Sequence, residues 1–148
     1  MNGLSNNPAF LIYAITCLVL CANLLFLWAY SGAKRGRSKT SPNEEDVAQF
    51  GGSHSEVEPA AVARALRAHS NAQASIYPFL LLGLVFILSG GSTATAAILF
   101  GIFTVARLLH SICYLQGMQP WRTIFFAIGG LTTIALMFAL VWQMIRLT

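Results

Sequence analysis

The chain has 148 residues, of which 56% are hydrophobic and only 9% charged, against about 25% charged in an ordinary soluble domain. That shortage of charge excludes a soluble globular protein and points to an integral membrane protein. The charges also crowd into residues 34–67 and leave the rest of the chain nearly bare.

The first predicted span covers residues 9–31. From Ala9 to Tyr30 there is no charged residue, and about 20 residues suffice to cross about 30 Å of hydrocarbon. A cleaved signal peptide would want Lys or Arg ahead of a shorter apolar run. Met1 to Pro8 has neither, so a retained helix is expected. Trp28 and Tyr30 stand where interfacial aromatics belong. Residues 32–58 follow as a loop rich in Ser, Gly and acidic residues.

The second predicted span covers residues 59–89. Its apolar part, Ile76 to Ser89, is too short to cross alone, but helix-forming residues precede it back to Pro59. Proline suits the first helical position, where its missing N–H is not needed. Pro78 falls inside this helix and should bend it by removing an i→i−4 bond. Gly90-Gly91-Ser92-Thr93 makes the turn into a third span over residues 94–115, which Arg107 and His110 interrupt. Gln116 to Pro120 leads to a fourth span over residues 121–146, with Trp121 at the interface and Arg146 at the close. Backbone groups in lipid must bond within their own segment, so these spans are helices. The expected fold is an all-α bundle of four transmembrane helices, a single membrane domain over residues 1–148.

Basic residues set the expected orientation. Lys34, Arg35, Arg37, Lys39, Arg64 and Arg67 place the 32–58 loop in the cytoplasm. Arg122 places the turn between the third and fourth spans on the same side, with both termini opposite; Arg146 opposes this weakly. The net charge of +4 also favours membrane lipid of negative charge. Nucleic acid is not an expected partner, because the basic patch abuts two spans and contains no stacking aromatics. Cys17 and Cys21 share a face of the first span and Cys113 lies in the third, so no disulfide framework and no metal site are expected.

The second span carries Arg64, Arg67 and Asn71 on one helical face, and the third carries Arg107, His110, Ser111 and Tyr114 at i, i+3, i+4 and i+7. A charged residue facing lipid costs about 2.5–3.5 kcal/mol on insertion scales, so this stripe faces protein, water or a ligand. One reading is structural: Arg107 binds carbonyls or a phospholipid head group, His110 pairs with Tyr114, and Arg64 or Arg67 snorkels. The other starts from charge balance. No Asp or Glu lies in any span, and buried positive charge needs a counter-charge, from Glu44, Glu45 and Asp46 or from an anionic ligand. No nucleophile–base–acid constellation is present. The residues themselves go as far as an anion-binding site and leave catalysis open.

The segment RAHSNAQASIYPF at 67–79, the segment ARLLHSICYL at 106–115 and, more weakly, NEED at 43–46 resemble the family of membrane-associated proteins in eicosanoid and glutathione metabolism (MAPEG), in its branch of microsomal prostaglandin E synthases and glutathione transferases. The resemblance spans almost the whole chain. It implies a homotrimer with glutathione between adjacent subunits near the cytoplasmic side. Arg35, Arg67, Asn71, His110 and Tyr114 would bind glutathione, and Arg122, Thr123 and Asp46 would act on the thiol. The implied function is a glutathione-dependent membrane transferase or peroxidase acting on lipophilic electrophiles or lipid hydroperoxides. Its alternative is a non-catalytic membrane protein binding a lipid or fatty acid.

Three positions depart from the pattern. Ser70 stands in place of an Arg, Ala74 in place of a Glu that receives the glutathione amine, and Phe126 in place of a Tyr. The missing Glu alone removes a charge-assisted bond of about 1.5–3 kcal/mol.

Overall fold

The computed structural model describes residues 7–147. In chain order these form α1 (Pro8–Ser38), β1 (Thr40–Ser41), α2 (Glu44–Phe50), β2 (Ser53–His54), α3 (Ala60–Leu88), α4 (Thr93–Gln116) and α5 (Trp121–Leu147). The helices α1, α3, α4 and α5 are each long and apolar enough to cross a membrane. The molecule is a four-helix membrane-spanning bundle.

Helix α1 starts on Asn7, whose side chain accepts from Ala9 N at 2.9 Å, with Pro8 in the first turn. It runs to Ser38, about two turns past the expected end. Lys and Arg are good helix formers, and Arg35 and Arg37 in the last turn suit its negative end. Lys39 then takes a left-handed φ of 52° and stops it. Pro59 is the N-cap of α3, not its first helical residue as the sequence suggests. Its extended ψ of 144° holds the chain outside the helix. The helix continues through Pro78.

The loop is more ordered than its composition suggests. Glu44, Glu45 and Asp46 occupy the first turn of α2, where acidic groups complement the positive end of the helix. Asp46 Oδ2 accepts from Ser41 Oγ and from Asn43 Nδ2, each at 3.0 Å. β1 and β2 pair in parallel, Thr40 with Ser53 and Ser41 with His54. Gly52 permits this, since a Cβ there would collide with the Lys39 carbonyl. Arg35, late in α1, forms an ion pair with Glu58 just before α3, which ties the two ends of the loop together.

The core sits where α1, α3 and α4 meet. Phe79 stacks on Phe103 with ring centroids 3.6 Å apart, and Phe100 meets Phe79 edge-on at 5.5 Å. Tyr13 of α1 closes on Phe100 at 6.0 Å and donates its hydroxyl to the Leu80 carbonyl at 3.2 Å. Apolar burial drives little association within lipid, so such packing and interhelical hydrogen bonds hold the bundle. A polar bond runs beside it: Asn23 of α1 donates to Ser111 Oγ of α4 at 3.1 Å, both side chains buried. Leu18, Leu25, Leu81, Phe138 and Val141 point outward, as lipid-facing residues must.

α4 ends in a double cap. Gly117 N donates to the Tyr114 carbonyl at 3.2 Å and Met118 N to that of Cys113 at 2.9 Å, with Gly117 at φ 72°. This Schellman geometry sets the tight turn through which α5 starts beside the end of α4.

Candidate functional site

The stripe on α4 faces inward. Arg107, His110 and Ser111 are buried, and Arg107 is only 1% exposed. Arg107 Nη2 donates to Asn71 Oδ1 on α3 at 2.8 Å and, at 3.4 Å, to the Asn71 carbonyl. Its Nε is buried with no hydrogen-bond partner. Gly129 of α5 makes room for it, since a Cβ there would lie 3.2 Å from Arg107 Cδ.

One turn further along, His110 meets Tyr114 edge-on at 5.6 Å and Phe126 at 6.0 Å. The Arg122 guanidinium lies 4.9 Å from the centre of the Tyr114 ring, a cation–π contact. Asn71, His110, Tyr114, Arg122, Thr123 and Phe126 together line a cavity of about 240 Å³. Three helices contribute: α3, α4 and the first turn and a half of α5.

Gln119 orients the α5 residues. With its amide turned to satisfy its neighbours, its oxygen accepts from Arg122 Nε at 3.1 Å and Nη2 at 2.6 Å, and its nitrogen donates to Thr123 Oγ1 at 3.0 Å. Sequence reasoning passed over this residue, although it stands three and four positions before Arg122 and Thr123, the spacing at which side chains meet on a helix. Asn23 was passed over as well, because a lone Asn in an apolar run has no pattern around it.

A second cavity of about 440 Å³ adjoins the first, sharing Asn71 and Phe126; Ala74, Ser75, Pro78, Arg107, Gly130, Thr133 and Ile134 complete its lining. A third, of about 540 Å³, lies in the loop and is lined by Arg35, Lys39, Ser41, Asp46 and neighbouring residues. Of the residues expected to form the site, Asn71, His110, Tyr114, Arg122 and Thr123 therefore share one cavity. Arg35 and Asp46 share another, and Asp46 is engaged by Ser41 and Asn43. Arg67 is exposed on α3, one turn before Asn71, and lies outside both membrane cavities. Among the described residues, no three His, Cys, Asp or Glu side chains cluster to hold a metal.

The first cavity presents a guanidinium, an imidazole, a phenol, an amide and a hydroxyl, with no carboxylate. Such a set binds an anion and stabilises negative charge on an oxygen or a sulfur. The model of the MAPEG family matches residues 13–142, which includes all of this cavity. The chain belongs to the MAPEG family. Within this family it is 32% identical to prostaglandin E synthase of Equus caballus and to that of Homo sapiens, in each case over 139 residues covering 90% of this chain and 91% of the relative. It is 33% identical to microsomal glutathione S-transferase 1 of Rattus norvegicus over 145 residues, 95% of this chain and 94% of the relative. This MAPEG chain is thus similar over nearly its full length to relatives of both kinds.

Proposed function

We propose that this MAPEG protein is a glutathione-dependent membrane transferase or peroxidase acting on lipophilic electrophiles or lipid hydroperoxides. The observation that carries the reading is the convergence of Arg122, His110, Tyr114, Thr123 and Asn71 on one acid-free cavity. Similarity to a microsomal glutathione S-transferase and to prostaglandin E synthases supports it.

Glutathione, when bound, supplies a nucleophilic sulfur. The chain's own residues do the rest. Arg122 places a full positive charge at the cavity wall, and Gln119 and the Tyr114 ring hold it there. A fixed cation close to a thiol favours the thiolate over the thiol. Thr123 Oγ1 offers a second donor from the same turn. His110 and Asn71 offer polar contacts to the peptide part. Ala74 offers none to an amine, so affinity for glutathione is lower than a carboxylate at that position would give.

Arg35, Arg67 and Asp46 fall outside the cavity of a single chain. In the proposed assembly they belong to a site completed between subunits of a homotrimer, with Arg35 reaching from the end of α1 and Asp46 from the loop. The 32–58 loop lies in the cytoplasm and both termini lie opposite, in keeping with its basic residues. Apolar substrate enters from the bilayer between subunits.

Calorimetry with glutathione, and turnover with a model electrophile and a lipid hydroperoxide, test this on detergent-solubilised protein. Saturable binding with thiol-dependent turnover is the expected result. Neither binding nor turnover, with a lipid retained in native mass spectrometry, would instead favour non-catalytic lipid or fatty-acid binding.

A further inference from the structure

Arg122 stands in the first turn of α5, at the positive end of that helix, where a cation is disfavoured. Its place therefore depends on its two holders, the Tyr114 ring at 4.9 Å and the Gln119 amide. Both flank one turn: Tyr114 comes three residues before Gly117 and Gln119 two residues after it. α4 carries no basic residue in its own last turn, so its sequence leaves the negative end of the helix unbalanced. Arg64 of α3 supplies the missing cation. Its guanidinium lies against the bare side of Gly117, where a Cβ would overlap Nη1 and stand 3.4 Å from Cζ and 3.7 Å from Nη2. Gly117, at φ 72°, is also the residue on which α4 closes, with Gly117 N and Met118 N both returning to carbonyls of the helix. Among the described residues no carboxylate pairs with Arg64, so its charge is free to act on the helix end it covers.

We infer that Arg64 is a positioning residue. From α3 it fixes the end of α4 and the Gly117 turn, and through Tyr114 and Gln119 it fixes the Arg122 guanidinium at the cavity wall. The consequence for the thiol rests on the glutathione reading; the fixing of the turn does not. The chemistry of the pair suits the task. A guanidinium is planar and always charged, and a cation is favoured at a helix C-terminus. Glycine alone leaves the backbone bare and takes a left-handed φ without cost. A snorkelling Arg64 would instead send its head group into water or among lipid head groups. Arg64 does not line the cavity of the single chain, so it acts there through the turn and not by touching the ligand.

The test compares full-length wild type with Arg64→Ala, Arg64→Lys, Arg122→Ala, Gln119→Ala and the double variant Arg64→Ala/Gln119→Ala in one detergent. Hydrogen exchange over residues 114–123 is read first by mass spectrometry, without glutathione. Arg64→Ala speeds exchange there several-fold, because the amides of Met118, Arg122 and Thr123 bond across this turn. Exchange along α1 is unchanged, and Arg64→Lys regains part of the protection. The pKa of the bound glutathione thiol is then read from thiolate absorbance. Arg122→Ala raises it by about 1–3 pH units, the effect of losing one opposite charge. Arg64→Ala gives a smaller rise and adds little to that of Gln119→Ala, since both loosen the same cation. Unchanged exchange in Arg64→Ala overturns the inference. An unchanged thiol pKa in an Arg64→Ala protein that binds glutathione overturns it as well, because the contact is then structural only. Fully additive effects in the double variant overturn it too, by showing that Arg64 acts through its own charge. A loosened turn in Arg64→Ala, with no glutathione bound even by the wild type, strikes the thiol reading and supports the fixing of the turn.

Discussion

Arg107 of α4 and Asn71 of α3 are joined by a 2.8 Å hydrogen bond at a depth where the spans carry no acidic residue. That bond is the main polar link between the two helices, and it leaves the guanidinium Nε without a partner. Asn71→Ala removes it and is expected to destabilise the bundle by about 1.5–3 kcal/mol, the range for a bond to a charged group. Asn71→Asp supplies a carboxylate and is expected to unfold at or above the wild-type temperature. Thermal unfolding in one detergent compares the three.

Arg122 is held by Gln119 and by the Tyr114 ring. Arg122→Ala is expected to lower kcat by about a hundredfold or more, as loss of a preorganised charge donor does. Gln119→Ala leaves the cation in place but free to move, so the fall is smaller. Gln119→Glu, which can still accept from Arg122, restores much of it. Steady-state kinetics with a model electrophile at saturating glutathione checks the order.

Asn23 and Ser111 bridge α1 and α4. A double-mutant cycle with Asn23→Ala and Ser111→Ala is expected to give a coupling of about 0.6 kcal/mol, the average for interhelical hydrogen bonds in membranes. Additive effects of the two substitutions would remove this bond from the account of how α1 is held.

Gly129 and Gly130 are neighbours with opposite surroundings. A Cβ at Gly129 would press on Arg107 Cδ at 3.2 Å, while one at Gly130 meets nothing within 4 Å. Gly129→Leu is expected to cost about 1–3 kcal/mol through overpacking. Gly130→Ala is expected to be neutral or stabilising by about 0.5–1 kcal/mol, the gain of Ala over Gly in a helix. Urea or thermal unfolding of each variant separates them.

The four spans were legible because lipid imposes a simple rule, length and apolarity, and α3 to α5 end within a few residues of where that rule puts them. The end of α1 was not, because its last two turns are polar and lie where hydropathy is silent. α2 and the parallel pair were hidden for a related reason: they depend on contacts among Lys39, Ser41, Asp46 and Gly52 that no periodicity announces. The α4 stripe was legible from the spacing of Arg107, His110, Ser111 and Tyr114. Its partners were less so. Asn71 stood on a recognisable face, but Asn23 and Gln119 act through single bonds across a helix pair and a turn, and only folding brings those together. Arg67 shares a side of α3 with Asn71 and yet does not line the cavity of the single chain.

The central claim is that His110, Tyr114 and Arg122 border one hydrated, ligand-accessible space within the bundle. Cys17, Cys21 and Cys113 are replaced by Ser or Ala, and His110→Cys, Tyr114→Cys and Arg122→Cys are introduced singly. Each variant, in sealed vesicles, is then treated with a membrane-impermeant thiol reagent with and without glutathione sulfonate, which occupies the site without reacting. The account predicts labelling from the side of the 32–58 loop at all three positions and protection by the sulfonate at each. Labelling only by lipid-soluble reagents, with no protection at any of the three, would contradict it.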